Sequence, residues 1–220
     1  STNDDRLPAA EKVGRFFAGL AQSRPSLHAQ WRCHLMAADA RPAYGPGLSG
    51  VAATDPMGGY TAALRRATGD TLLDRWLVGD QDYYLPGDML AKTDRVSMAH
   101  GLEVRVPFLD RRMMELAGSI DGSLLSPFRG PPKAVLREAL SRQNGLAEIA
   151  KLEKRGFNNP VAAMLRNELR PLSEAVFEQA PDRFAPYLDA DALRRMWRDH
   201  DGKRANHQYL LWMLLGLAVW

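Results

Sequence analysis

The sequence has little cysteine and little net charge. Cys33 is the only cysteine among 220 residues, which excludes an internal disulfide framework and favours a reducing compartment, so a cytoplasmic location is expected. The 29 Lys and Arg residues nearly balance the 26 Asp and Glu residues, leaving a formal charge of +3, and the basic residues form no run. Nucleic acid is therefore not an expected partner.

Long apolar runs are also missing. The longest, residues 209–220, is shorter than the roughly 20 residues that span a bilayer, and no stretch resembles a secretory signal peptide. No membrane partner is expected, and we interpret residues 209–220 as a terminal helix that is buried on most sides. Hydrophobic residues at 45% and charged residues at 25% are typical of a globular, water-soluble protein.

Strand signals are nearly absent, because apolar residues recur almost everywhere at helical spacing and alternating β-branched runs are rare. The predicted fold class is mainly α, an irregular multi-helix arrangement forming one domain over residues 1–220. Prolines at or just before many of the predicted starts support the boundaries. Helices are predicted over residues 9–22, 26–38, 56–67, 71–78, 86–100, 111–119, 132–142, 160–169, 172–179, 190–200 and 205–219.

The common nucleotide and metal motifs are missing as well. Residues 45–50 fit the spacing G-x-G-x-x-G, but no strand precedes them, so we interpret them as a plain loop. No Walker-type loop, no H-E-x-x-H motif and no paired cysteines occur. No metal ligands are therefore predicted in this sequence.

A dense group of charged residues is present in residues 84–110. Lys92 and Asp94 fall on a predicted helix that ends near Gly101, and Glu103 and Arg105 follow in a loop. Charged groups at this density inside an apolar pattern need partners, and functional residues often lie on irregular segments held by helices. The alternative is a structural network in which Asp94 pairs with Arg95 or Arg105 and only stabilises the helix.

Residues 84–110 read YLPGDMLAKTDRVSMAHGLEVRVPFLD and resemble the asparagine synthetase family, whose pattern there is approximately Y-L-P-D-D-x-L-x-K-x-D-R-x-S-M-A-x-x-L-E-x-R-x-P-F-L-D. Gly87 departs from it. Residues 133–140 resemble the family's K-x-x-L-R-E-A-L helix, and Lys154 begins a segment similar to its K-x-G-F-x-x-P loop. Residues 204–220 resemble its closing helix, so the resemblance covers nearly the whole chain.

The resemblance implies the carboxy-terminal part of a synthetase domain. This is the helical end of an adenine-nucleotide α-hydrolase-like (α/β) domain whose parallel sheet lies upstream. The family's S-G-G-x-D-S and S-G-E-G-x-D-E segments are absent, and the missing nucleotide-binding half and a glutaminase domain are expected as partners. The start at Ser1 rather than Met favours a piece of a longer protein.

The resemblance also implies a reaction. Family members use ATP and Mg²⁺ to adenylate a carboxylate, aspartate by default, and ammonia then displaces AMP to form an amide. Lys154 is expected to contact the phosphates as a catalytic residue, and Glu103 to act as the catalytic base. Lys92 and Arg105 are expected to support the cofactor side.

Two alternatives remain open at this stage. Lys154 could be a solvated loop residue within a charge run. The chain could also be a non-catalytic helical protein-binding or scaffold module derived from the family, with an exposed apolar patch as its docking surface. In either case the isolated 220-residue chain is expected to be inactive and to bind no cofactor tightly. The sequence does not decide the oligomeric state.

Overall fold

A computed structural model of the chain describes residues 13, 17, 24–33, 35, 37–51, 54–125, 130–131, 133–153 and 159–220. Within these ranges the chain is helical and contains no β-strand. Extended backbone pairs there as an isolated antiparallel bridge between Tyr44 and Leu188. The prediction of a mainly α fold is confirmed, and its relation to an upstream parallel sheet stays a prediction.

The helices are numbered here in chain order, and two segments have the wider turns of a π-helix. The α-helices are α1 (Arg24–Arg32), α2 (Ala37–Ala40), α3 (Gly58–Arg66), α4 (Leu72–Gly79), α5 (Ala91–Met98), α6 (Arg111–Ser119), α7 (Gly122–Leu125), α8 (Ala134–Ser141), α9 (Ala147–Lys151), α10 (Val161–Arg166), α11 (Arg170–Glu174), α12 (Ala190–Asp201) and α13 (Gln208–Val219). The π-helices are π1 (Asp80–Leu90) and π2 (Ala175–Gln179).

Most of the predicted helices are confirmed, and α6 has the predicted bounds. The single helix predicted over residues 26–38 is wrong, because α1 ends at Arg32 and α2 begins only at Ala37. The Cys33 thiol donates a hydrogen bond to the Leu35 carbonyl at 2.8 Å, which closes a bend between the two helices. The helix predicted over residues 9–22 lies outside the described residues, except for Val13 and Phe17, which are both helical.

The chain divides into two compact units. Unit 1 comprises Ser1–Thr61 and Asn158–Trp220, and unit 2 comprises Ala62–Phe157. The motif-bearing residues 84–110 lie in unit 2. The single domain expected from the sequence stays a prediction.

Unit 1 has an apolar core built around α12. Asp189 caps the start of this helix, since its side chain accepts a hydrogen bond from the Ala192 backbone N–H at 2.6 Å. Leu193 and Trp197 then lie four residues apart on the buried face, where the Trp197 ring packs on Phe177 with ring centroids 6.1 Å apart. Each such buried side chain contributes about 2 kcal/mol through the apolar surface that it removes from water.

Helix α13 closes unit 1 with one face only. Leu211 and Leu215 are buried in the core, whereas Met213 and Leu217 on the other side are more than half exposed. The prediction that this helix is buried on most sides is therefore wrong, because its neighbours in unit 1 cover a single stripe of the helix surface. Among the described residues, no helix is both long enough and apolar enough to cross a membrane.

Unit 2 buries far fewer of its described side chains. Ala63, Leu64 and Ala150 are its buried apolar residues within the described ranges. Many larger apolar side chains are exposed instead: Val78, Tyr83, Met89, Val96, Met98, Leu102, Val104, Val106, Phe108, Met113, Leu116, Leu124, Leu136, Ile149 and Leu152. Exposed apolar surface of this extent is typical of a region that associates with another protein surface.

Candidate functional site

The charged block begins on a helix that is longer than predicted. Pro86 was expected near its first residue, but π1 already begins at Asp80 and continues directly into α5, so Pro86 lies inside the helical path. A proline cannot donate a backbone hydrogen bond, and here it falls within wide π-helical turns. Lys92 lies on α5, where its Nζ is 3.7 Å from Oδ1 of Asp88 one turn earlier.

The end of this helix is fixed by Gly101, as predicted. Gly101 has a φ of +66°, in the left-handed region that favours glycine. The backbone N–H of Leu102 donates to the Ser97 carbonyl at 3.0 Å, and the N–H of Gly101 donates to the Met98 carbonyl at 3.0 Å. These two bonds form a Schellman motif, which turns the chain sharply away from the helix axis.

Glu103 and Arg105 meet directly after this turn. Oε1 of Glu103 is 2.9 Å from Nη2 of Arg105, and the two side chains are 73% and 84% exposed. Arg105 thus pairs with Glu103, whereas the structural alternative paired Asp94 with Arg95 or with Arg105. An exposed pair of this kind stabilises the fold by little.

Apolar side chains alternate with this pair along the segment. Leu102, Val104, Val106 and Phe108 are all between 43% and 62% exposed. An exposed ion pair and exposed apolar side chains thus occur on the same short segment, without cover in the described part of the chain. Such a surface becomes a water-poor site once a second surface packs on it, which would strengthen the electrostatic interactions of both charges.

The segment is closed by a short 3-10 turn, Pro107–Leu109, followed by α6. Asp110 caps α6, accepting hydrogen bonds from the backbone N–H of Arg112 at 3.0 Å and from its Nε at 3.1 Å. The Arg112 side chain and then its backbone N–H lower the pKa of the Asp110 carboxyl below its ordinary value. Gly101 and Asp110 therefore fix the two ends of the Glu103 segment.

Lys154 lies in residues 154–158, outside the described residues, so its predicted role stays a prediction. The helices before it, α8 and α9, pack on each other, and the guanidinium of Arg137 on α8 contacts the end of α9. Arg137 belongs to the residues that resemble the family's K-x-x-L-R-E-A-L helix, but local spacing does not indicate these contacts, because their partners are 13 and 15 residues away along the chain.

Metal binding finds no ready ligand set here. In the ranges that the structure describes, no group of three or more His, Cys, Asp or Glu side chains lies close enough to hold a metal ion.

The protein is thus a helical protein with one segment that exposes both an ion pair and apolar side chains. The asparagine synthase family model matches residues 4–220, almost the whole chain. The chain belongs to the asparagine synthase family.

Several curated proteins are similar to the chain. Asparagine synthetase [glutamine-hydrolyzing] 1 of Bacillus subtilis is 28% identical over 139 residues, which cover 62% of this chain and 21% of that protein. A putative asparagine synthetase of Mycobacterium tuberculosis is 32% identical over the same coverage. The human asparagine synthetase is 34% identical over 92 residues, or 41% of this chain and 16% of that protein. The match thus spans about a fifth of the length of the first two relatives, and no solved structure matches the chain.

Proposed function

We propose that this chain is the carboxy-terminal part of the synthetase domain of an ATP-dependent, glutamine-hydrolysing amide-forming enzyme of the asparagine synthase type. The observation that carries the proposal is the family match over residues 4–220, together with relatives of which the chain aligns to only 21%. The nucleotide-binding half and a glutaminase domain are then the partners that complete the site, and the isolated chain is inactive.

The proposed reaction has two steps. A carboxylate oxygen of the substrate, aspartate by default, attacks the α-phosphorus of ATP, and the bond from that phosphorus to pyrophosphate breaks. Ammonia then attacks the acyl carbon, the carbon–oxygen bond to AMP breaks, and the attacking nitrogen loses a proton to a base. Both steps need positive charge beside the phosphates, and the second step also needs a base beside the attacking nitrogen.

The residues of this chain would divide these tasks. Lys154 supplies a compact positive charge to the phosphates, a role that suits a lysine because its ammonium is a flexible point charge. Glu103 accepts the proton from the attacking amine. Arg105 holds the Glu103 carboxylate through one of its five N–H donors and keeps the others for a phosphate or carboxylate ligand. Lys92 supports the phosphate side.

Mg²⁺, when bound, neutralises phosphate charge in such reactions. The described residues supply no complete ligand group of their own for it. The carboxylates Glu103 and Asp88 are each already paired with a cation. The ligands of Mg²⁺ are therefore expected in the nucleotide-binding half.

Pyrophosphate release tests the assignment of Lys154. The natural protein that carries this sequence is assayed with ATP, aspartate and glutamine, and Lys154→Ala is expected to lower the rate about 100-fold or more, as for the loss of one preorganised charge stabiliser. Lys151→Ala is the matched control, because Lys151 is an exposed lysine three residues away whose Nζ is 2.6 Å from Oε1 of Glu148. An unchanged rate in Lys154→Ala would remove Lys154 from the site.

A second candidate function is a non-catalytic protein-binding or scaffold module. The exposed apolar side chains of unit 2 favour it as much as they favour docking of a nucleotide-binding half. The two candidate functions predict different coding sequences upstream of residue 1. A reading frame that continues upstream into an S-G-G-x-D-S segment supports the enzyme, whereas a natural start near residue 1 supports the module.

A further inference from the structure

The end of α9 is held by one side chain of α8. Nη1 of Arg137 donates to the Ala150 carbonyl at 2.5 Å, and Nη2 donates to the Leu152 carbonyl at 2.9 Å. Leu152 follows the last residue of α9 and has φ −57° and ψ 138°, so the chain leaves the helix at this residue.

These contacts suit a guanidinium for a physical reason. The last carbonyls of a helix have no partner within the helix, and a cation there also interacts favourably with the helix dipole. The planar fork of Arg137 reaches two carbonyls at once and fixes the direction between them. A lysine carries its donors on one atom and cannot hold both carbonyls in the same way.

The five-residue helix α9 depends on such support. An isolated helix of this length is not stable in water, because too few hydrogen bonds form to offset the ordering of its first turn. Packing of Ala150, which is buried, and the two bonds from Arg137 supply tertiary contacts that hold α9 in place.

We infer that Arg137 is a positioning residue for Lys154. Lys154 follows Leu152 by two residues, and two residues of extended backbone span at most about 7 Å. The contact of Arg137 with the Leu152 carbonyl therefore fixes the point at which the chain leaves α9 towards Lys154. We call the contacts of Arg137 with the carbonyls of Ala150 and Leu152 the clamp. The importance of the clamp for catalysis rests on the role proposed above for Lys154.

Arg142 provides a matched control. It follows α8 directly, it is exposed, and its guanidinium pairs with Glu138 on the same helix rather than with α9, with Nη2 2.9 Å from Oε1. Arg142→Lys thus removes a guanidinium from the same region of unit 2 without touching the end of α9.

Hydrogen exchange in the 220-residue chain tests the clamp. The amides of Ala150 and Leu152 donate to the carbonyls of Leu146 and Ile149, and their exchange is expected to accelerate about tenfold in Arg137→Lys relative to Arg142→Lys, since the hydrogen bonds from Arg137 that hold the end of α9 are lost. Exchange at the buried Leu64 reports unfolding of unit 2 as a whole. Equal acceleration at Leu64 and at these two amides, or equal behaviour of the two variants, would overturn the inference.

Catalysis supplies the second readout, in the natural protein. Arg137→Lys is expected to lower kcat for pyrophosphate release about tenfold while the KM for ATP changes less than about twofold. For Arg137→Ala, added methylguanidinium at a non-denaturing concentration is expected to restore part of the rate, and methylammonium is not. A wild-type protein without pyrophosphate release contradicts the proposed function and removes the catalytic part of this inference, whereas the exchange measurement still decides whether Arg137 positions the segment. Normal kcat in Arg137→Lys with accelerated exchange overturns the link to catalysis.

Discussion

The imidazole of His200 accepts a hydrogen bond at Nδ1 from the backbone N–H of His207 at 3.3 Å. His200 is fully buried near the end of α12, and an acceptor at Nδ1 requires a neutral ring with its proton on Nε2. Nε2 has no hydrogen-bond partner of good geometry among the described residues. The backbone of Ala162 lies close enough to raise the pKa of the ring, but this effect is smaller than that of burial. The fold therefore holds a neutral histidine beside the core of unit 1.

This neutral histidine makes stability depend on pH. Burial, followed by the positive charge of Arg166, lowers the pKa of His200 from 6.5 to about 4. The unfolded chain therefore binds one more proton than the folded chain between these two values, so stability is full above pH 6.5 and is lost as the pH falls towards 4. We expect the free energy of unfolding to decrease by about 3 kcal/mol across this window, as measured by urea unfolding at a series of pH values.

His200→Asn is the variant that checks this cause. Its amide oxygen can accept the His207 N–H, but it does not titrate, so its unfolding free energy should be lower overall and flatter between pH 6.5 and 4. Burial also lowers the pKa of His207, so part of the pH slope persists in this variant, whereas the lowered pKa values of Asp110 and Asp121 place their titration under this window. A pH slope that is the same in His200→Asn and in the wild type would contradict the assignment to His200.

Two leucines of α13 differ in burial, so their alanine variants should differ in stability. Leu211 is fully buried, and Leu217 is 56% exposed on the other side of the same helix. Leu211→Ala is expected to lower the free energy of unfolding by about 3–5 kcal/mol, because it removes buried contacts and leaves a cavity. Leu217→Ala is expected to change it by less than about 1 kcal/mol. Similar losses in the two variants, measured by denaturant unfolding, would mean that another surface covers Leu217 in solution.

Two glycines of unit 2 should respond to alanine with opposite signs. Gly101 has a φ of +66° with open space around it, so Gly101→Ala is expected to cost about 1–2 kcal/mol through backbone strain alone. Gly118 lies within α6, also with open space, and Gly118→Ala is expected to stabilise by about 0.5–1 kcal/mol through helix propensity. Thermal unfolding followed by circular dichroism measures both. A stabilising Gly101→Ala would show that the Schellman turn is absent in solution.

If Glu103 is the base, its loss should slow amide formation more than pyrophosphate release. In the natural protein, Glu103→Gln is expected to lower amide formation about 100-fold or more, because a general base is lost, while pyrophosphate release falls less. Glu115→Gln is the control, since Glu115 is an exposed carboxylate 3.1 Å from Arg111 on α6. Amide formation that is unaffected by Glu103→Gln, or affected equally by both changes, would leave Glu103 only as the ion-pair partner of Arg105.

Local signals account for the parts of this protein that the sequence predicts well. The bounds of α6 follow from Asp110 as its cap, and the end of the preceding helical segment follows from Gly101. Both depend on residues within one or two turns, as does the helical spacing that indicates the fold class. The helix start predicted at Pro86 is wrong for the same reason. Proline is typical of the first turn of a helix, but here the helical segment begins earlier, at Asp80, and Pro86 lies inside it.

The sequence by itself determined the helical class of the chain and its family, and it singled out Glu103 and Arg105 as candidate residues without pairing them. Only the tertiary structure decided that His200 is buried, that α13 covers the core with one face, and that Arg137 holds the end of α9. These features depend on contacts between residues far apart in the chain, such as the 34 residues between Arg166 and His200. Periodicity and turn chemistry describe each helix alone, whereas packing decides which of its faces loses contact with water.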